Sequence, residues 1–380
     1  MIVRARTVVD EDLLLNSIQG KQHQYIKDNQ ESVFFVDSGS SSLQLFLELF
    51  GKEKRVGVQV FTCSTVLDTI KKVGDSPFFF DINPNYYTTT IDIIQNCLTQ
   101  IDILILTHLF GIPNPDYVQI KELCKKEGVV LIDDLSQTFH AKVGGQYLED
   151  LSNNYFYSFF YDKPISSISG GMLKIASEYK ERLSCKYATL VPTSNYRGKK
   201  RLKSLYLMHK LLAPEIYTEE FRWGICWKYI LSLWPLKGNI SILNTILNSR
   251  VVKFMDRFFK KLVSKQIICR MSDVEISYLR SMMEQYCNNN QILINFLSSK
   301  NIPLPIYLKD DRITCSCAKR AVIQTKITSS QAQIGLYNWP SLICTEDEYV
   351  NYPNAVGVIN SNVNVPCWTD LINNIDIKTV

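Results

Sequence analysis

Through the first 175 residues, short apolar runs rich in β-branched and aromatic residues alternate with stretches of helical periodicity. Strands are predicted at Ser32–Val36, Arg55–Val60, Ser76–Phe80, Asp102–Leu106, Val129–Ile132, Tyr155–Phe159 and Met172–Ile175. Helices are predicted at Ser40–Phe50, Thr65–Val73 and Asp116–Glu127. Strands that are apolar throughout, rather than at every second residue, must be covered on both faces. Strands separated by helices pair in parallel, because a parallel connection needs a crossover. The chain is therefore read as α/β, with a mainly parallel sheet covered by helices. In such sheets ligands gather beyond the carboxyl ends of the strands, so the residues that follow each strand carry the functional information.

Three of those strand ends stand out. Asp37-Ser-Gly-Ser-Ser-Ser42 is a small-residue turn opening a helix, where free N–H groups, hydroxyls and the helix dipole suit a phosphate. The same residues would serve equally as an ordinary N-cap. Asp133-Asp134, followed by Gln137, ends another strand; the acids are either loop solvation or a partner for a cationic ring nitrogen. Lys163 follows Tyr155–Phe159, between an aromatic run and a patch of hydroxyls and glycines. Read alone, it is a solvated loop charge.

Composition narrows the classes. The 380 residues, 46% of them apolar, suffice for a large domain and a smaller one, and the composition is that of a soluble globular protein. The eleven cysteines are scattered, with no C-x-x-C pair, and the first residues (MIVRARTVVDEDLL) are charged, so free thiols in a reducing cytoplasm are expected. Four histidines, with no H-E-x-x-H and no Cys/His cluster at ligand spacing, leave metal chemistry without support.

Taken in order, Ser38-Gly-Ser-Ser-Ser-Leu43, Asp133-Asp-Leu-Ser-Gln137, Ser158-Phe-Phe-Tyr-Asp-Lys163 and Gly170-Gly171 resemble the DegT/StrS family of sugar aminotransferases. These are pyridoxal-phosphate (PLP) enzymes of fold type I. The resemblance runs from about Ser38 to Ile175 and includes Phe61-Thr-Cys-Ser-Thr65, the FFFDINP stretch from Phe78, Thr107-His-Leu-Phe-Gly111 and Gly144-Gly-Gln146. It implies that Lys163 forms the Schiff base with PLP and then acts as the base and acid of proton transfer. It further implies that Asp134, not Asp133, pairs with the pyridine nitrogen, and that Gln137 lies near the ring and its 3′-oxygen. Gly39, Ser40, Ser41 and Ser158 would hold the phosphate, without a metal. Cys63 stands where relatives stack an aromatic residue on the ring, Ile168-Ser169 replaces a Gly-Glu pair, and Ile268 replaces an asparagine that reaches the partner subunit's phosphate.

The implied reaction moves an amino group from an amino acid, L-glutamate by resemblance, to a nucleotide-linked keto-sugar, by way of pyridoxamine phosphate. Surface-glycan or antibiotic-sugar biosynthesis would use it. A homodimer is implied, since fold type I sites form at a dimer interface; the alternative is a catalytically degenerate PLP-fold scaffold.

Three domains are expected: the PLP-binding domain over 1–180, a basic, Trp-rich helical insertion over 181–265, and a small α/β domain over 266–380. Residues 181–265 carry 17 Lys/Arg against 5 Asp/Glu, a net of +12 that leaves −7 for the rest, and hold three of the five tryptophans. Trp223, Trp227, Ile230 and Trp234 fall at helical spacing, and Arg250–Lys261 reads as a second basic amphipathic helix. Either both helices pack on the protein, or residues 215–262 lie on the inner face of a membrane with Trp and Phe at headgroup level. No nucleic-acid recognition motif accompanies the charge.

Overall fold

A computed structural model of the chain describes residues 9–21, 32–212, 225–252, 254–255, 267–286, 291–299, 303–316, 320–324 and 342–366. Trp223 and all of 256–266, including the second half of the basic helix expected at Arg250–Lys261, lie outside the described residues.

In chain order the strands are β1 (Val33–Val36), β2 (Arg55–Gln59), β3 (Ser76–Phe80), β4 (Ile103–Thr107), β5 (Val130–Asp134), β6 (Lys142–Val143), β7 (Gln146–Tyr147), β8 (Tyr155–Ser158), β9 (Gly171–Lys174), β10 (Val191–Pro192), β11 (Cys269–Arg270), β12 (Ile313–Thr314), β13 (Arg320–Gln324) and β14 (Asn362–Pro366). A nine-stranded sheet has the order β10-β11-β1-β9-β8-β5-β4-β2-β3. Its run from β8 through β5, β4 and β2 to β3 is parallel. The two-sided burial expected of that run is met at β4, which is buried along its whole length.

β9 departs from the parallel pattern, pairing antiparallel with both β8 and β1. The reason is the connection: residues 159–170 form a loop with no crossover helix, so the chain returns in the opposite direction. β1, antiparallel to β9, therefore points the same way as β8, and the carboxyl ends of β1, β2, β4, β5 and β8 meet the start of β9 along one edge of the sheet.

The α-helices are α1 (Glu11–Gln19), α2 (Gly39–Leu47), α3 (Ser64–Val73), α4 (Ile91–Ile94), α5 (Tyr117–Glu127), α6 (Leu148–Leu151), α7 (Lys180–Thr189), α8 (Asn195–Leu211), α9 (Ile225–Leu233), α10 (Ile240–Leu247), α11 (Asp273–Glu284), α12 (Gln291–Ser299) and α13 (Pro353–Ser361). α2 covers β1, β8 and β9, burying Leu43, Leu45, Phe46 and Leu47. Helices α3 and α5 each end on a glycine in the left-handed conformation, Gly74 and Gly128, with lysines in the last turn facing the negative helix end.

The basic segment is tied into this architecture. β10 pairs with β11, and β11 pairs with β1. α8 packs against α1, α9, α10 and α11, burying Leu202, Leu205, Leu207, Met208 and Leu211. Acids from outside the segment meet part of its charge: Lys210 Nζ lies 2.6 Å from Glu11, and Arg201 lies 3.5 Å from the fully buried Glu275. Trp227, expected as a candidate headgroup anchor, is instead only 2% exposed. It shares the inward face of α9 with Leu231, one helical turn on.

Candidate active site

The serine turn is built by the end of β1. Ser38 is extended (φ −162°) and caps α2, its Oγ accepting from Ser41 N–H at 3.1 Å and meeting Ser41 Oγ at 2.8 Å. Ser41 is consumed by this cap and buried, whereas Gly39 and Ser40 border the open space beyond the helix end. Asp37 locks the turn to β11: its N–H donates to Cys269 O at 3.0 Å and its Oδ1 accepts from Cys269 N–H at 3.2 Å.

The packing around this turn leaves no room for side chains at two places. A Cβ on Gly39 would lie 2.8 Å from Ser158 Cβ, and one on Gly171 would lie 2.2 Å from Ser38 O. The glycines thus let the ends of β1 and β8 and the start of β9 approach as bare backbone.

β5 separates its two acids by pleat. Asp133 is buried and satisfied, accepting from Tyr117 Oη at 2.9 Å, from His108 Nε2 at 3.2 Å and from Ser152 Oγ. His108 Nδ1 accepts from Asn114 N–H at 3.0 Å, which leaves the ring proton on Nε2, facing Asp133. Asp134 borders the cavity instead, its Oδ1 accepting from Ser136 N–H at 2.9 Å. Burial raises its carboxyl above the usual aspartate value, against the opposing pull of the Ser136 hydrogen bonds and the Lys163 charge.

Lys163 sits in the loop from β8 to β9, which is closed by Phe159 N–H to Gly170 O at 2.8 Å and Ser167 N–H to Phe159 O at 2.6 Å. Its own N–H donates to Phe160 O at 3.0 Å, and its carbonyl accepts from Ser166 Oγ at 2.8 Å. The backbone carrying the amine is thereby fixed from both sides. Gln137 is likewise held: its Oε1 accepts from Phe110 N–H at 3.1 Å, steadying a left-handed residue (φ 58°).

These elements enclose a cavity of about 400 Å³. Of the residues singled out in the sequence, Gly39, Ser40, Cys63, Asp134, Gln137, Ser158 and Lys163 line it, and Ser41 does not. Cys63 precedes α3, its Sγ 3.2 Å from Thr65 Oγ1. Ser169 also lines the wall, while Ile268 packs in the apolar core. Sequence reasoning assigned no role to Thr62, His108, Ser136 or Asp162, all of which face the cavity. The strand-end rule alone would have flagged His108, directly after β4, and Thr62, just beyond β2. Thr62 is 1% exposed and its Oγ1 has no hydrogen-bond partner in the protein.

Residues 18–197, which span every wall of this cavity, match the profile of the DegT/DnrJ/EryC1/StrS aminotransferase family. They form a DegT/DnrJ/EryC1/StrS-family domain. Curated relatives include a UDP-N-acetyl-3-dehydro-alpha-D-glucosamine 3-aminotransferase from Acidithiobacillus ferrooxidans, 31% identical over 38% of this chain and 40% of its own length. Another is a GDP-perosamine synthase from Escherichia coli O157:H7, 29% identical over 42% of this chain and 44% of its own. The match thus spans about two fifths of the length of each of these relatives. Among solved structures, the aminotransferase TlmJ from Streptoalloteichus hindustanus superposes with a TM-score of 0.63 at 15% identity, over 99% of this chain and 96% of its own. S. venezuelae DesV does so at 0.60 and 13%, over 98% and 88%. The fold of the described residues is that of fold type I, as the sequence motifs implied.

Proposed function

We propose that this protein is a PLP-dependent aminotransferase that moves an amino group from an amino acid, L-glutamate, to a nucleotide-linked keto-sugar. The reading rests chiefly on one observation: Lys163, Asp134 and the Gly39-Ser40 turn border the same cavity, inside a domain whose curated relatives are named as sugar aminotransferases and synthases.

The residues present fit the cofactor. A buried carboxylate with a raised pKa has use for a cation, and Asp134 would hold the protonated ring nitrogen. The first turn of α2 has no acidic residue and presents Gly39 and Ser40 beside Ser158, a set that would hold the phosphate. Thr62 Oγ1, buried without a partner, is a free donor in the same wall. When bound, PLP supplies an aldehyde that captures amines and a ring that draws off the electrons of a developing carbanion.

The chain's own groups do the remainder. Lys163 supplies the amine that anchors the cofactor and the base that takes a proton from the substrate carbon bearing the nitrogen, returning it on the far side of the transfer. Asp134 would keep the ring nitrogen charged, and Gln137, its amide already fixed by Phe110, would lie beside the ring. Cys63 covers less of a ring face than the aromatic residue it replaces, which weakens cofactor retention. A homodimer completes the assembly.

The test is reduction with borohydride in the presence of PLP, followed by peptide mapping. A single adduct on Lys163, together with amination of one member of a panel of nucleotide-linked keto-sugars with glutamate as donor, supports the proposal. No adduct, or one elsewhere, turns the reading to a PLP-fold scaffold.

A further inference from the structure

Helices α9 and α10 are apolar on two faces. On α9, Trp227 and Leu231 turn inward and are buried, while Tyr229 and Leu233 turn outward at 68% and 56% exposure. On α10, Leu243 and Leu247 are buried, and Ile242 and Ile246 lie in water. The pattern continues past α10, where Val252 is buried between exposed Val251 and exposed Phe254. Of the fourteen large apolar side chains exposed among the described residues, seven fall between 229 and 255, so this stretch is unlike the rest of the surface.

The inward stripes are explained by packing on α8. The outward ones need another low-dielectric neighbour, since a helix apolar on both sides is normally covered on both. Charge identifies that neighbour. From Phe221 to Met255 the chain has no Asp or Glu, yet carries Arg222, Lys228, Lys237, Arg250 and Lys253. Lys237 and Arg250 are exposed beside the apolar positions. A second copy of this face would bring like charges together, which disfavours self-association. An anionic bilayer surface offers acyl chains to the apolar side chains and phosphate or carboxylate headgroups to the cations. No helix among the described residues is long and apolar enough to cross a membrane, so the face would lie on the bilayer rather than span it.

We infer that the outward face of residues 229–255 is a peripheral docking surface for an anionic lipid bilayer, with Tyr229, Leu233, Ile242, Ile246, Val251 and Phe254 entering the interface. Trp227 is not part of it, because that ring is already spent in the contact with the protein. The inference stands apart from the proposed chemistry: it holds or fails whatever the site does.

Flotation of the full chain with vesicles tests it. Binding is expected to vesicles of phosphatidylcholine with phosphatidylserine, to weaken with added salt, and to be absent with phosphatidylcholine alone. Lys237→Gln and Arg250→Gln should each lower the partition coefficient about fivefold. Leu233→Ser with Ile242→Ser and Phe254→Ser should abolish binding. These side chains are exposed, so an unchanged circular dichroism melt serves as the check that the variant folds. Val350→Ser, 81% exposed in another part of the chain, should bind as the parent does. The inference is overturned by an intact chain that ignores anionic vesicles, by apolar variants that still float, or by a chain that dimerises in sedimentation through this face while leaving vesicles unbound.

Discussion

At the scale of single residues, the two adjacent acids of β5 illustrate how one bond of the chain separates structure from chemistry. Asp133 is saturated by a histidine, a tyrosine and a serine, and Asp134 looks into the cavity. Folding raises the pKa of Asp134, so its neutral form is favoured in the native state. The corresponding stability is complete below the ordinary aspartate value, about 4, and is lost as pH climbs through the raised one. In the cofactor-free protein, the urea stability of the parent minus that of Asp134→Asn should therefore become less positive, or more negative, as pH rises from that value. A difference that grows with pH contradicts the assignment. Adding PLP should reverse the trend for the parent only, because the ring nitrogen then supplies the charge partner. For Lys163→Ala, borohydride should trap nothing at this position, and turnover should fall by at least the ~10²–10⁴-fold that a positioned base contributes. The family resemblance singled out Lys163 and Asp134 beforehand, whereas the strand-end rule could flag His108 and Thr62 but give them no role, since a histidine or threonine at a strand end has no chemistry until its neighbours are known.

At the scale of elements, the α2 turn and the β8–β9 loop act as one device. Ser38 caps the helix, so Ser38→Ala should cost about 1 kcal/mol in urea denaturation and loosen the turn that faces the cavity. Gly171→Ala places a methyl 2.2 Å from Ser38 O, a backbone atom that cannot rotate away. About 1–3 kcal/mol of destabilisation is expected, with a weakened affinity for PLP read by fluorescence titration. If Gly171→Ala leaves PLP affinity intact, the close approach is not what shapes the site. The sequence pattern located these elements to within three residues, the widest miss being the end of α2, because apolar runs and glycine stops depend on local composition. It assigned Ser41 to the cavity, where the structure spends that serine on the cap, since a hydroxyl two residues into a helix reads the same in either role. It also carried no sign of β10 and β11, each two residues long and formed only because partners come from far along the chain.

At the scale of the whole molecule, the described helices α8, α9 and α10 of the basic segment pack on the rest of the protein and keep an unusual outer face. Leu205 on α8 is fully buried, so Leu205→Ala should cost about 2–5 kcal/mol and lower the urea midpoint of the protein as a whole. A small loss confined to a separate early transition would mean that the segment folds by itself. Net charge alone could not distinguish a packed helix from a surface one, since both keep their lysines in water and differ only in where the apolar stripes go.

The order of apolar runs and helical stretches determined by itself the α/β class and the positions of most elements, because periodicity and small-residue turns are local properties of the chain, and the candidate lysine and aspartate followed from the family resemblance that the strand-end motifs carry. Only the tertiary structure decided that β9 runs against its neighbours, that Ser41 serves the cap, that Asp133 is saturated by Tyr117, His108 and Ser152, and that Trp227 turns inward. Each of those depends on what lies across space from a residue, and burial and hydrogen-bond partners are not written in the residues beside it.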